Sequence, residues 1–378
     1  MQDLVDQFSS IKLSFEDRCT IIQLNCAKGF GGGMFRRLME HFESIENLRY
    51  ADRDSILNVR GIGPKIADSL IRGLSFDVRQ EFDHATKHGY DVITIFDKEY
   101  PKALLALYDP PLVLFIKGKL LKEDQISIAI VGSRSPTTYG RYQAERFSLH
   151  LAASGFTIVS GLANGIDTCA HRGALHAKGR TIAILGHGHG KCYPADNQKL
   201  MEQITDNGAV ISEYLFNTPP KTQNFPHRNR IVAALSLGVF VVEARINSGS
   251  LITSRFGIEL GREIFALPGP VNSPESEGTH KLIIEGARLV QKPEDILEEL
   301  GEMETILKPV MSAASKQMTD SLNEDEKKVV AVLGKELSHI DELHLALDYE
   351  ISELLSYLTL LEIKGILKSH PGRYFSLV

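Results

Sequence analysis

The chain has no C-x-x-C pair. Its four cysteines, Cys19, Cys26, Cys169 and Cys192, are scattered, which argues against a disulfide framework or a cysteine zinc site and fits reduced thiols in a cytosol. A run of about 18 apolar residues is also missing, so no membrane span is expected. The opening MQDLVDQFSS has neither a basic start nor an apolar centre, so no signal peptide is expected. Basic excess is absent as well. Lys and Arg number 42 against 48 Asp and Glu, a net charge of -6. That excludes a uniformly basic nucleic-acid coat and leaves phosphate binding to a local patch. There is no G-x-x-x-x-G-K-[ST] phosphate loop, and no G-x-G-x-x-G follows the first core strand; GHGHGK after the third has the wrong spacing. An ATPase or a nicotinamide enzyme is disfavoured, and no cofactor is expected. What is present is ordinary globular material: 378 residues, 43% hydrophobic and 24% charged, enough for two or three domains.

Four regions follow in order: a helical segment over 1–78, a sheet domain over 79–300, a linker over 301–320 and a tail domain over 321–378. In the first, GFGGGMFRRL from Gly29 and GIGPKIADSL from Gly61 match at a spacing of 32 residues. Each is G-h-G, then an apolar residue, then Leu, as in a tandem helix-hairpin-helix (SAM-like) unit. Glycines permit the tight hairpin, and its N–H groups can face a phosphate at a helix start. A purely structural helical packing domain fits the same residues. From Asp91 short apolar runs (VITIF, LVLFI, ISIAIVG, FTIVSG, TIAILG, AVISEY, VFVVEA, EIFALPG) begin. From the third run on they alternate with helical stretches near 139–153, 166–178, 196–207, 226–236, 250–261 and 276–286. Strand–helix alternation with apolar strands implies an α/β fold with a parallel, Rossmann-like sheet. The tail reads as helix, helix, helix and a hairpin turning at Pro371-Gly372, the order of a winged helix. Its second helix, HIDELHLALD, is acidic, which favours a structural or protein-contact role over duplex binding.

In open parallel sheets the ligand sits beyond the carboxyl ends of the strands. Three glycine-serine turns fall there: Gly132-Ser133-Arg134, Ser160-Gly161 and Ser248-Gly249-Ser250. They suggest a phosphate-binding rim of open amides and helix starts, with Arg134 as a bidentate phosphate ligand. The segment KTQNFPHRNR lies on the same rim. Lys221, Arg228 and Arg230 supply cations, Asn229 can meet sugar or base edges, and Phe225 offers a face for stacking. Such a set suits a single strand, because duplex bases are not free to stack on a side chain. Arg230, at the start of the next helix, also suits an ion pair. Catalytic groupings are weaker. Asp167 and His171 share a helix face, His187, His189 and Cys192 lack a fourth metal ligand, and Glu213 suits hydrogen bonding; no catalytic residue and no metal site are assigned.

The motifs VGSRSPTTYG, SGLANGIDTCAHRGAL, YPADNQKL, FPHRNRIVAALS, VVEARINSGSLIT, GREIFALPG and GTHKLIIEGA, in this order, resemble the DNA-processing protein A (DprA/Smf) family over about residues 90–300. The resemblance implies an extended Rossmann-like core that binds single-stranded DNA, with variable flanking domains. It implies a cytoplasmic, non-enzymatic homodimer that protects incoming strands in natural transformation and loads the RecA recombinase. The resemblance carries family DNA contacts over to Gly132, Ser133, Arg134, Phe225, Arg228 and Asn229, with Lys221 near the family's basic position. The dimer surface is expected around His280 and Ile283, and the glycine hairpin at Gly61 adds a candidate duplex contact. A rival is a nucleotide-processing enzyme of the phosphoribohydrolase type on a related core. SGSLITSRFGIE departs from the P-G-G-x-G-T-x-x-E signature of those enzymes, with Glu259 too far along. A second rival is a pure scaffold.

Overall fold

The computed structural model describes residues 13–301, 324–333, 338–347, 349–363, 367–370 and 372–377. The chain falls into two compact units that divide at residues 304 and 305. Beyond Gly301, the expected linker lies outside the described residues.

The first unit opens with helices α1 (Phe15–Asn25), α2 (Gly32–Phe42), α3 (Ile45–Arg49), α4 (Arg53–Leu57), α5 (Pro64–Leu74) and α6 (Arg79–His88). The 32-residue repeat is structural. Gly29 and Gly61 both turn the chain at positive φ, 80° and 83°, and α2 and α5 start two residues after Phe30 and Ile62 in matching hairpins. That conformation is open to glycine and strained for other residues. What the hairpins face differs. Gly63 of the second is exposed to solvent, whereas the Gly32 N–H of the first donates to the Asp109 carboxylate. The protein's own acid thus stands where the sequence suggested a phosphate. The helices do not stand apart from the sheet. A single apolar core runs from Ile21, Leu24, Phe35 and Leu70 into Phe115, Val131 and Ile184, and the Phe35 and Phe96 rings lie 5.9 Å apart.

The sheet strands are β1 (Asp91–Thr94), β2 (Val113–Gly118), β3 (Ser127–Val131), β4 (Thr157–Ser160), β5 (Thr181–Ile184), β6 (Gly208–Ser212), β7 (Gly238–Val241), β8 (Glu263–Ala266) and β9 (Arg288–Leu289). Between them run α7 (Thr138–Ala153), α8 (Ile166–His176), α9 (Gln198–Asn207), α10 (Asn224–Leu235), α11 (Ser250–Glu259) and α12 (Glu277–Ile284), with α13 (Pro293–Gly301) at the end. Strand order is β1-β2-β6-β5-β4-β3-β7-β8-β9. From β6 through β9 neighbours pair in parallel; β1 and β2 extend the sheet antiparallel. Every residue of β3 to β7 is buried, which is why these strands read as unbroken apolar runs. The winding leaves β3 toward β4, β5 and β6, then returns to β7 on the other flank of β3. That reversal opens a crevice between the carboxyl ends of β3 and β7, where doubly wound sheets take their ligands.

The second unit contains α14 (Glu324–Val332), β10 (Ser338–His339), α15 (Ile340–Leu347), α16 (Ile351–Ile363), β11 (Leu367–His370) and β12 (Tyr374–Leu377). Val329, Ile340, Leu343, Leu354, Leu358 and Phe375 are among its core residues. Its three strands lie in the order β10-β12-β11, and the hairpin turns through Gly372 and Arg373, both at positive φ. Pro371, expected at that turn, lies outside the described residues.

Candidate functional site

A cleft of about 530 Å³ lies at the reversal point. Its walls are the segment after β3 (Val131 to Arg134), the segment after β7 (Arg245 to Ser250) and the first turns of α10. Arg134 is exposed, with its guanidinium over the half-buried Phe225 ring, 5.2 Å from the centroid. It makes no ion pair with any described carboxylate. Cation and ring thus hold each other in a water-facing position. Phe225 rests on Gly186, where a Cβ would come within 2.8 Å of its ring, so the absence of a side chain there seats the phenyl group. Tyr193, 47% exposed, adds a second ring with its centroid 5.6 Å from that of Phe225.

From its sequence, KTQNFPHRNR is expected as a loop before a helix. In the structure α10 begins at Asn224, so Phe225 to Arg230 form its first two turns. Pro226 is tolerated there because the amides of a first turn have no intrahelical acceptor. Helical spacing then separates the motif. Phe225 and Asn229 face the cleft, while Arg228 is carried inward. Arg228 is 3% exposed; its NH1 donates to Gly161 O at 2.6 Å and to Ile184 O. Burial lowers its guanidinium to about 10, with the Asp167 carboxylate opposing the fall. Instead of the expected free phosphate ligand, Arg228 is a buried tie between the ends of β4 and β5. Arg230 is buried too, and its NH2 donates to Glu213 Oε2 at 2.6 Å. Asn229 bridges its neighbours: its Nδ2 donates to Gly249 O at 3.1 Å and its Oδ1 accepts from Arg228 Nε. Lys221 is exposed but does not line the cleft.

The three glycine-serine turns are less open than expected. Ser133 N–H donates to Glu243 O at 2.7 Å, and a Cβ on Gly132 would strike Ile166 and Glu243 O, so this glycine serves packing. The start of α7 is occupied by the Glu243 carboxylate, which accepts the Thr137 N–H at 2.9 Å and its hydroxyl at 2.5 Å. Ser160 is buried, its hydroxyl donating to Ile130 O at 2.7 Å. Gly161 is held on both sides, its N–H by Asp167 Oδ2 and its carbonyl by Arg228. Ser248 and Ser250 hydroxyls pair with each other at 2.8 Å, leaving Gly249 exposed between them. The cleft is therefore a cation-and-aromatic wall on an internally satisfied frame, rather than a cradle of open amides.

The doubtful catalytic pairs dissolve into structural roles. Asp167 accepts backbone amides of Gly161 and Ala163. His171 donates from Nδ1 to Thr181 Oγ1 at 2.7 Å, since that hydroxyl gives its own proton to Ile158 O. Burial lowers His171 to about 3, so it is neutral. His187 and His189 bond the carbonyls of Gly188 and Phe115, and Cys192 bonds Pro194 O. On the far edge, His280 donates to Gly269 O at 3.0 Å and Ile283 packs on the core. Among the described residues, apolar side chains left in water there include Ile284 and Val271, at 85% and 91% exposure, and Leu289 of β9 itself.

Tyr193, Arg245 and Asn247 are cleft residues that the sequence reading leaves out. Arg245 and Asn247 lie in the same strand-end segment as Ser248 and were reachable by the strand-end rule. Tyr193 sits nine residues past β5 on a loop with a cis Tyr193–Pro194 bond, and no local pattern places it beside Phe225.

Residues 91–301, more than half of the chain, match the family described as DNA recombination-mediator protein A. Residues 313–373 match the DprA winged helix domain and residues 30–77 a helix-hairpin-helix motif. Among curated relatives, protein Smf of Escherichia coli is 40% identical over 283 residues, 74% of this chain and 75% of that one. Protein Smf of Synechocystis is 33% identical over 377 residues, covering 91% and 95%. Among solved structures, DNA processing protein A of Streptococcus pneumoniae superposes with a TM-score of 0.65 at 35% identity, over 76% of this chain and 99% of that one. The Helicobacter pylori protein, described for its single-stranded DNA binding mode, gives 0.51 at 32% identity, over 56% and 96%. With its core, its hairpins and its winged helix all matched, the chain belongs to the DNA recombination-mediator protein A (DprA/Smf) family.

Proposed function

We propose that this chain binds single-stranded DNA in the cleft between β3 and β7, protects it, and loads a RecA-type recombinase onto it during natural transformation in the cytoplasm. The observation that carries the binding step is the unpaired Arg134 guanidinium over a Phe225 ring that is only half buried. A phosphate takes the cation and an unpaired base takes the ring face, while Tyr193 lengthens the stacking surface. Gly132, Ser133, Arg228, Asn229, Ser248, Gly249 and Ser250 complete the lining of this cleft, Gly161 ties Arg228 beneath it, and Lys221 stands outside the lining as an exposed cation. The single-stranded DNA binding described for the Helicobacter pylori relative supports the same reading. The chain acts by binding, not catalysis: Asp167, His171 and Glu213 are all committed to internal partners.

Fluorescence anisotropy with labelled oligothymidylate at several salt concentrations tests the proposal. Phe225→Ala is expected to cost about 1–3 kcal/mol of affinity with an unchanged salt slope, because stacking releases no counterion. Arg134→Ala is expected to weaken binding and to flatten the slope by about 0.7, one single-strand phosphate contact. Wild-type slopes in Arg134→Ala would remove this arginine from the interface.

We further infer a homodimer across the edge of the sheet at β9. Its support is the short, half-paired strand beside the exposed Ile284 and Val271, a surface that a second copy can cover. His280 and Ile283 underlie that surface. Ile284→Glu is expected to shift the mass measured by light scattering from two chains to one; an unchanged mass places the contact elsewhere.

A further inference from the structure

The first turn of α10 separates two clefts. Phe225, Pro226 and Asn229 face the one already described; Gln223, Asn224 and His227, offset along the helix, face a second of about 700 Å³. The far wall of the second is the first glycine hairpin, Gly29 to Gly33, together with Arg37 and Tyr108. Tyr108 is 90% exposed, the most solvent-accessible aromatic side chain among the described residues. Its ring lies beside Gly33, where a Cβ would be 3.8 Å from the ring. Arg37 is braced by two carbonyls, its Nε donating to Gly33 O and its NH1 to Arg60 O, each at 3.3 Å, and no described carboxylate pairs with it. The one acid in the cleft, Asp109, is already engaged by the Gly32 N–H and lies 3.6 Å from His227. The cleft thus repeats the chemistry of the first, a water-facing ring and an arginine without a carboxylate partner.

We propose that the strand held in the first cleft crosses the first turn of α10 and continues into the second, where Tyr108 stacks a base and Arg37 meets a phosphate. The proposal rests on the reading of the first cleft. A helix is about 10–12 Å across, so the crossing spans only a few nucleotides. The occupant is a single strand, because the face of Tyr108 is useful only to an unpaired base. The glycine hairpin then serves as one wall of a single-strand path, with its first amide turned to Asp109.

The test compares the full chain on oligothymidylates of about six and about twenty nucleotides, by anisotropy. Tyr108→Ala is expected to bind the longer oligomer about tenfold more weakly and the shorter one as wild type does, while Tyr108→Phe keeps wild-type affinity on both. Arg37→Gln is expected to flatten the salt slope on the longer oligomer alone. Tyr108→Ala binding the longer oligomer like wild type, or losing equally on both lengths, overturns the continuation. So does a loss seen on duplex of the same length and not on the single strand. Because Tyr108 lies in water, its removal leaves the core intact, and an unchanged circular dichroism melt verifies this. If the wild type binds neither oligomer, the first cleft itself has been misread. If it binds the short one through Phe225 while Tyr108→Ala is silent on the long one, only the continuation fails.

Discussion

Arg228→Met is expected to lower unfolding free energy by about 3–5 kcal/mol, read as a shift of the urea midpoint, while leaving the salt slope of DNA binding close to wild type. The guanidinium is 3% exposed and donates to Gly161 O at 2.6 Å and to Ile184 O. Behind it Asp167 is also buried, accepting the Gly161 and Ala163 amides at 3.1 and 3.3 Å. Burial raises the Asp167 carboxyl above its usual range, and Arg228 is the main influence opposing that rise. Removing the arginine leaves two carbonyls without a donor and a carboxylate without its counter-charge. The cost of the mutation is mostly that uncompensated burial. Arg228→Met combined with Asp167→Asn removes both charges and is expected to regain part of the loss. DNA affinity should fall in the single variant because Phe225 stands on the helix that Arg228 anchors. A normal urea midpoint together with a flattened salt slope would show that the guanidinium leaves its carbonyls and meets phosphate.

Arg228 also marks where the sequence stops being legible. The alternation of apolar runs and helical stretches gives the sheet domain: the helices expected near 139–153, 166–178 and 250–261 lie at Thr138–Ala153, Ile166–His176 and Ser250–Glu259. Fully apolar strands have few other folds open to them, and the strand-end rule places Arg134 and Phe225 on one rim. A cation in a rim motif carries no mark of the direction in which it points. The motif reads as a loop leading into a helical stretch near 226–236; the observed start at Asn224 decides which of Phe225, Arg228 and Arg230 face water. The closed glycine turns have a similar origin. Glu243 lies 106 residues from Thr137, whose N–H and hydroxyl it accepts, and no local pattern reveals such a pairing. Asp109 against the Gly32 amide, 77 residues away, is another case. Local sequence signals a glycine hairpin; tertiary contact decides whether its amide meets a ligand or a side chain.

Glu213→Gln is expected to cost about 3–5 kcal/mol at neutral pH, and the wild-type advantage over it should shrink steadily as pH falls from about 4.5 to about 2. Glu213 follows β6 and is buried. Burial alone would raise its carboxyl, but Arg230 at 2.6 Å and His227 at 2.9 Å bring it to about 2. A carboxyl lowered on folding stabilises above its ordinary value, here 4.5, and that stability is lost as acid protonates the folded form near 2. The depression corresponds to about 3 kcal/mol. His227 supplies the opposite limb. Asp109 at 3.6 Å and Glu213 raise its imidazole from 6.5 to about 9. A group raised on folding stabilises fully below 6.5 and stops doing so as pH climbs through 9. With about half of the ring in water that contribution is the smaller, and it shares the Glu213 interaction, so the two limbs do not add. Urea unfolding across pH reads both: the wild-type advantage over Glu213→Gln should show the acid limb together with part of the alkaline one, because His227 loses a partner as well, and the advantage over His227→Gln should show mainly the alkaline limb. These charges join β6, the first turn of α10 and, through Asp109 and the Gly32 amide, the first glycine hairpin. If both differences are flat with pH, these ion pairs do not help hold the helical segment to the sheet, and the shared apolar core with the Arg18–Asp97 pair holds it without them.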